Sequence, residues 1–304
     1  VQNQILKLTS VFQFIRWKNL VIVILTLWAT RSVLDVDVAV CPVFAMFYFA
    51  LLTLSFVCIT AAGNMHNDIL DIGIDKINKP LRQVVNESIS IKHAAWYALF
   101  SFVLGLVSII VLSMTFDRHI WIFYYLFFGL LLYLYNTWLK CQPLVGNVLV
   151  SILCGCVVMA PLLMGCDFIG NLKEQNGGAS FFVVMYSVMA VILNFMRELI
   201  KDMEDIKGDE ELRCKTFPVS FGEERSRLII YIVSISFVAA FLFVLNTLTQ
   251  YFDISFVYLA GLIIGLPYIM FLTSFYKNDV GGYRKAQQWL KVMLLAGLLV
   301  LTAM

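Results

Sequence analysis

Apolar residues in this chain gather into long runs separated by short polar breaks. Windows of about 20 predominantly apolar residues fall near 11–34, 42–66, 93–115, 120–139, 144–166, 180–200, 228–250, 254–276 and 288–304. At a rise of about 1.5 Å per residue such a window forms a helix about 30 Å long, the thickness of the hydrocarbon core of a bilayer. The pattern therefore predicts an all-α fold, a polytopic membrane bundle of nine transmembrane helices in which the last helix is the shortest. The breaks between windows are short, so residues 1–304 are expected to form a single domain.

Composition supports this reading. Of the 304 residues, 61% are hydrophobic and 14% charged, and the mean hydropathy is +0.86. One soluble core cannot use so much apolar side chain. The first apolar run is too long for the core of a cleaved signal and follows a polar, weakly basic segment, so it is expected to be retained as a helix.

The basic residues give the orientation. With the N-terminus on the cytoplasmic side, 19 of the 22 Lys and Arg fall in loops and flanks of one face, and the other face holds only Arg31, Arg118 and Lys173. That asymmetry is the positive-inside signal. It predicts an integral membrane protein, of the cell inner membrane, with the basic face cytoplasmic. The net charge of +2 says little about partners, because the cations are concentrated on one face. Membrane lipids are expected around the bundle, and no nucleic-acid partner is expected. The seven cysteines are odd in number and lie mostly in or beside apolar runs. Neither a disulfide framework nor a zinc pattern is visible, and Cys154 and Cys156, two apart, suit packing.

Two acidic clusters stand out against this background. One is Asn67-Asp68-Ile69-Leu70-Asp71-Ile72-Gly73-Ile74-Asp75, and the other is Asp202-Met203-Glu204-Asp205-Ile206-Lys207-Gly208-Asp209. At 100° per residue, Asn67, Asp71 and Asp75 span about 80° of a helix and Asp202, Asp205 and Asp209 about 60°, so each cluster forms one stripe. Like charges at such spacing repel one another and are costly near hydrocarbon. The natural compensation is a divalent cation. Hard carboxylate oxygens favour Mg²⁺, which is usually held by one or two carboxylates together with phosphate oxygens. Two facing stripes would clamp a Mg²⁺-diphosphate between them.

The residues Gly63–Ser90, GNMHNDILDIGIDKINKPLRQVVNESIS, and Arg197–Gly222, RELIKDMEDIKGDEELRCKTFPVSFG, resemble the two signatures of the UbiA-type intramembrane prenyltransferases. Motifs after the second and sixth of nine helices are similar to that family's architecture over the whole chain. The resemblance implies transfer of an isoprenoid from a prenyl diphosphate donor to an acceptor, with Mg²⁺ bridging the Asp motifs and the diphosphate. It implies metal and diphosphate roles for Asn67, Asp71, Asp75, Asp205 and Asp209, with Asp68 and Asp202 as additional acids at the metal. Arg82, Lys140, Lys215 and Lys201 are candidate phosphate ligands. His66 is expected to be structural, and His93 and His119 are lone flank residues with no partner in sight.

The string Arg197-Glu198-Leu199 with Lys201-Asp202 and Glu204-Asp205, together with Arg16-Trp17-Lys18-Asn19, resembles the subgroup that attaches a geranylgeranyl group to geranylgeranylglyceryl phosphate. Arg16 and Asn19 are then expected at the acceptor, and its phosphate demands a second cationic site, separate from the diphosphate clamp, which Arg16, Lys18, Lys201 and Arg197 could furnish. An aromatic acceptor of quinone or haem synthesis remains the alternative, and a divalent-cation transporter is the alternative from another class. Transport would place acids near the bilayer midplane, whereas these lie at helix ends beside basic loops.

The charge asymmetry is testable by labelling. A cysteine introduced at Asn78 should react with a membrane-impermeant reagent only from the cytoplasmic side, and one at Asn171 only from outside. The opposite pattern would mean that the bundle is inverted.

Overall fold

The computed structural model describes residues 12–34, 41–78, 85, 89–165 and 177–304. Among them are nine helices of 18 residues or more, one for each predicted window: α1 Trp17–Leu34, α2 Met46–Leu70, α4 Ile91–Thr115, α5 Ile120–Thr137, α6 Val145–Leu163, α7 Gly177–Glu211, α9 Glu223–Leu248, α10 Ile254–Tyr276 and α11 Val280–Thr302. Of two short helices, α3 Ile72–Asn78 carries the last acid of the first motif and α8 Phe217–Phe221 follows the second. No strand occurs among the described residues, where β pairing is limited to an isolated bridge between Val85 and Ile89.

Eight of the nine long helices are long and apolar enough to cross a membrane. The chain is an integral membrane protein. The ninth, α11, carries Arg284, Lys285, Gln287, Gln288 and Lys291 in its first three turns, and these lower its hydropathy.

Local chemistry sets several of the ends. Ser90 caps α4 by accepting the backbone N–H of His93 at 3.4 Å, and the Asp279 carboxylate caps α11 by accepting that of Gly282; both satisfy otherwise orphaned donors of a first turn.

The helix α7 departs from its predicted length. The window 180–200 ends where the acids begin, but the helix runs on to Glu211. Met, Glu and Lys are good helix formers, and Gly208 is tolerated because its lack of a side chain admits Asn78, whose amide nitrogen would lie 2.5 Å from an added Cβ. With 35 residues, α7 is about 52 Å long, well beyond the roughly 30 Å of hydrocarbon. Its acidic end therefore reaches out of the apolar layer while the rest spans it.

Helix contacts form two groups. In the first, α2 packs on α4 and α5; in the second, α7 packs on α9 and α11, and α10 on α11. Between the groups lie α1, which touches α6, α11 and α2, and α6, which lies along α7. The α6–α7 approach is close: a Cβ on Gly155 would meet Val191 Cγ2 at 2.5 Å, and Ser187 Oγ donates to the Gly155 carbonyl at 2.9 Å. Small residues that let backbones approach are the usual device of helix packing in membranes. Here they bring the start of α6 beside the acidic end of α7.

Candidate active site

The first acidic motif lies across a break in the chain. Helix α2 ends at Leu70 and α3 begins at Ile72, yet helical hydrogen bonding persists through the break, with Asp71 N donating to Asn67 O at 2.9 Å and Asp75 N to Asp71 O at 2.8 Å. The predicted stripe is thus kept, bent at its middle carboxylate. Asn67 is buried and donates from Nδ2 to Asp71 Oδ2 at 2.7 Å. The other oxygen of Asp71 is ion-paired with Lys140, which stands on a single 3₁₀ turn, Leu139–Cys141, between α5 and α6.

The second motif occupies the last turns of α7. Asp205 and Asp209 are buried. Asp209 Oδ2 accepts from Thr216 Oγ1 at 3.2 Å, and Asp202 Oδ2 accepts from Asn147 Nδ2 at 2.7 Å. Helix α3, which carries Asp75, packs on α7, and this brings the two stripes together.

Asn78 ties them together. At the end of α3 its Nδ2 donates to the Asp205 carbonyl at 3.0 Å, and its Oδ1 accepts from Gly208 N at 3.1 Å. One amide thus bridges two segments separated by 130 residues.

Below the acids a cavity of about 240 Å³ opens between the two helix groups. Arg16, Asn19, Asn67, Arg197, Lys201 and Lys291 furnish much of its polar wall, and Phe56, Phe128, Tyr135 and Tyr186 are its aromatic wall. Arg16 forms an ion pair with Asp68. Burial alone would lower the pKa of Arg16, but Asp68, with Asp71 and Asp75 behind it, holds it above the ordinary value.

Not all the predicted site residues converge. Asn67, Asp71, Asp205, Asp209 and Lys140 come together, and Asp75 lies one turn beyond Asp71 on α3, half-buried. Asp68 faces Arg16 and Asp202 faces Asn147, so both are engaged with side chains of the protein. Arg16, Asn19 and Lys201 line the cavity. Lys215 is exposed and is not among the groups brought together here. Arg82 lies outside the described residues. Of the histidines, His66 stacks on Tyr133 with ring centroids 5.4 Å apart, and its Nδ1 lies 3.3 Å from Asn136 Nδ2.

One expectation is overturned. Cys141 and Cys214 form a disulfide, and Cys41 is also disulfide-bonded, whereas the spacing of the cysteines suggested no framework. The two sulfurs are 73 residues apart in sequence and meet only because the turn after α5 folds beside the segment that leaves α7. The bridge fastens the turn that carries Lys140 to the strand of chain after Asp209. Cys58, Cys154 and Cys156 are free.

Sequence reasoning also missed Asn78, Asn147, Thr216 and Lys291. Asn147 and Lys291 carried a usable signal, since a polar or ionisable group within a membrane span is a functional candidate by default. Asn78 and Thr216 did not, because their partners are set by tertiary contact.

The donor set fits a hard divalent cation. It is made of carboxylate oxygens on two helix ends, and among the described residues no three His, Cys, Asp or Glu are grouped so that they could hold a metal ion by themselves. That suits an ion that completes its shell with phosphate oxygens.

The Asn78 bridge is directly testable. Replacing Asn78 with Ala leaves the Asp205 carbonyl and the Gly208 N–H without this partner, which should destabilise the fold by about 1–3 kcal/mol. Thermal unfolding in detergent should show the loss; an unchanged midpoint would mean that the bridge contributes nothing.

The sequence profile of the UbiA prenyltransferase family matches residues 20–298. The digeranylgeranylglyceryl phosphate synthase of Methanopyrus kandleri is 30% identical over 280 residues, 89% of this chain and 88% of that protein. The synthase of the same name from Methanobrevibacter smithii is 32% identical over 169 residues, 56% of each chain. Among solved structures, one concerned with digeranylgeranylglyceryl phosphate synthase in membranes is similar with a TM-score of 0.65 at 22% identity, covering 98% of this chain and 99% of that one. A UbiA homologue from Archaeoglobus fulgidus bound to DMAPP and Mg²⁺ is similar with a TM-score of 0.59 at 17% identity, covering 96% and 99%. The facing carboxylate stripes, the helical bundle that carries them and the extent of these matches together make this chain a member of the UbiA prenyltransferase family.

Proposed function

We propose that the protein transfers a geranylgeranyl group from its diphosphate to the hydroxyl of geranylgeranylglyceryl phosphate, with residues 1–304 acting as one domain and the site opening to the cytoplasmic side. The observation that carries this reading is the pairing of two acidic stripes, joined by Asn78 and flanked by Lys140, above a cavity with an aromatic and apolar wall. The synthases named above supply the acceptor class, and the charge asymmetry of the loops supports the side.

The chemistry follows from the charges. Cleavage of the allylic C–O bond leaves its electron pair on the diphosphate and a delocalised cation on the isoprenoid. When bound, Mg²⁺ supplies charge stabilisation to the departing diphosphate; Asp71, Asp75, Asp205 and Asp209, with Asn67, are the residues that would hold it. Lys140 is placed to add a cation to the same oxygens, exchanging its bond with Asp71 for one with phosphate. Thr216 and Asn67 fix the rotamers of Asp209 and Asp71, so the carboxylates are oriented before substrate arrives. Phe56, Phe128 and Tyr135 line the cavity, and aromatic rings there favour a nearby carbocation and exclude water from it. The acceptor hydroxyl oxygen then forms the new C–O bond, and its proton passes to a base or to the released diphosphate. Arg16, Asn19 and Lys201 stand on the cavity side and are assigned to the acceptor.

The deciding assay offers purified protein geranylgeranyl diphosphate and Mg²⁺ with either geranylgeranylglyceryl phosphate or hydroxybenzoate. Ether product should form and should vanish on chelation of the metal. Asp71→Asn and Asp205→Asn should each lower turnover by about a hundredfold or more while the protein remains folded. A prenylated aromatic ring with no ether, or near-normal turnover in both variants, would contradict this reading.

A further inference from the structure

The last helix, α11, contains a cation with no assigned purpose. Its first turns dock on the end of α7, where Arg284 Nη2 donates to Glu204 Oε1 at 2.9 Å and Gln287 Nε2 to Glu204 Oε2 at 2.8 Å. About two turns further along, Lys291 is half-buried and lines the same cavity as Arg16, Asn19, Arg197 and Lys201.

The charges around it do not balance. Lys291 makes no hydrogen bond or ion pair with any described residue, and the other charged groups that line its cavity are Arg16, Arg197, Glu198 and Lys201. Three of the four are cations. The one acid, Glu198, is already ion-paired with Arg197 at 2.8 Å, and Arg16 is already paired with Asp68. A cation left over in a cavity walled by membrane helices is costly, and an anion from outside the protein is the group that relieves it.

This locus differs chemically from the acidic stripes. There, carboxylates need a metal between themselves and a diphosphate; here, ammonium and guanidinium groups meet an anion directly. A metal-free cluster of cations is suited to a phosphomonoester, for which Lys provides a point charge and Arg a bidentate fork.

We propose that Lys291, with Arg197 and Arg16, forms a phosphate subsite that holds the headgroup of the lipid acceptor, separate from the metal-diphosphate site. The inference rests on the reading of the acceptor as a glycerophosphate lipid. It gives the two substrates different anchors: the donor is held by metal and carboxylates on α2, α3 and α7, and the acceptor by cations on α11, α7 and the start of α1. The hydroxyl that attacks the donor is then positioned by the phosphate at the far end of a short glycerol unit.

The test compares geranylgeranylglyceryl phosphate with geranylgeranylglycerol, its dephosphorylated form, as acceptors for the wild type, Lys291→Gln and Lys291→Arg, with initial rates measured against both substrates. Wild type should prefer the phosphorylated acceptor. Lys291→Gln should raise the KM for that acceptor by about ten- to a hundredfold, the scale of a charge-assisted hydrogen bond. It should leave the donor KM near the wild-type value, which also shows that the variant is folded, and it should lose most of the discrimination against the alcohol. Lys291→Arg should keep that discrimination. A Lys291→Gln variant with unchanged discrimination, or one that raises donor and acceptor KM alike, would overturn the subsite while leaving the functional reading intact. A wild type that makes ether from neither acceptor would overturn the functional reading and the subsite with it.

Discussion

The carboxylates of the two motifs are brought together where Asn78 joins α3 to α7, and the repulsion between such groups at the rim of an apolar bundle constrains what surrounds them. In low dielectric a set of like charges persists only if opposite charge or hydrogen bonds offset it. The structure meets this locally with Lys140 on Asp71, Thr216 on Asp209 and Asn147 on Asp202. These partners also point the oxygens, so the same contacts that make the acids tolerable prepare them for a cation.

The scaffold follows from that need. Two acidic stripes must be held face to face, although each belongs to a different helix group. The length of α7 carries its acids beyond the apolar layer, and the bend at Asp71 lets α3 swing so that Asn78 reaches the backbone of α7. The Cys141–Cys214 bridge adds a covalent tie between the turn bearing Lys140 and the chain that leaves the second motif. In the proposed reaction Lys140 would exchange its carboxylate for a phosphate within this frame, whose carboxylates are the residues that would hold the metal.

Much of this was legible in the sequence, for reasons that differ by element. Nine long helices among the described residues were readable because hydrocarbon thickness imposes a length of about 20 residues on each; α7 was misjudged, because its acids looked like an end while their helix propensity let it continue, and so was α11, which begins at Val280, ahead of its window, and with 23 residues is not the shortest. The stripe Asn67, Asp71 and Asp75 was readable because helical periodicity is local. Asn78 was quoted within its motif without a role, because its partners are 127 and 130 residues away. The cysteine pair was illegible for the same reason. Lys291 carried a signal, as a cation inside the last predicted window, but the other cations in the first turns of α11 masked it.

The central claim is that the two motifs act on one metal-diphosphate as a unit. A double-mutant cycle on Mg²⁺-dependent binding of a non-hydrolysable geranylgeranyl diphosphate analogue, measured by titration calorimetry for the wild type, Asp71→Asn, Asp205→Asn and the double variant, tests it most directly. If the stripes share the ligand, each single variant should remove most of the metal-dependent affinity and the double variant little more, a strongly non-additive cycle of about 1 kcal/mol or greater coupling. Additive losses, or binding that survives either substitution with its Mg²⁺ dependence intact, would contradict the account.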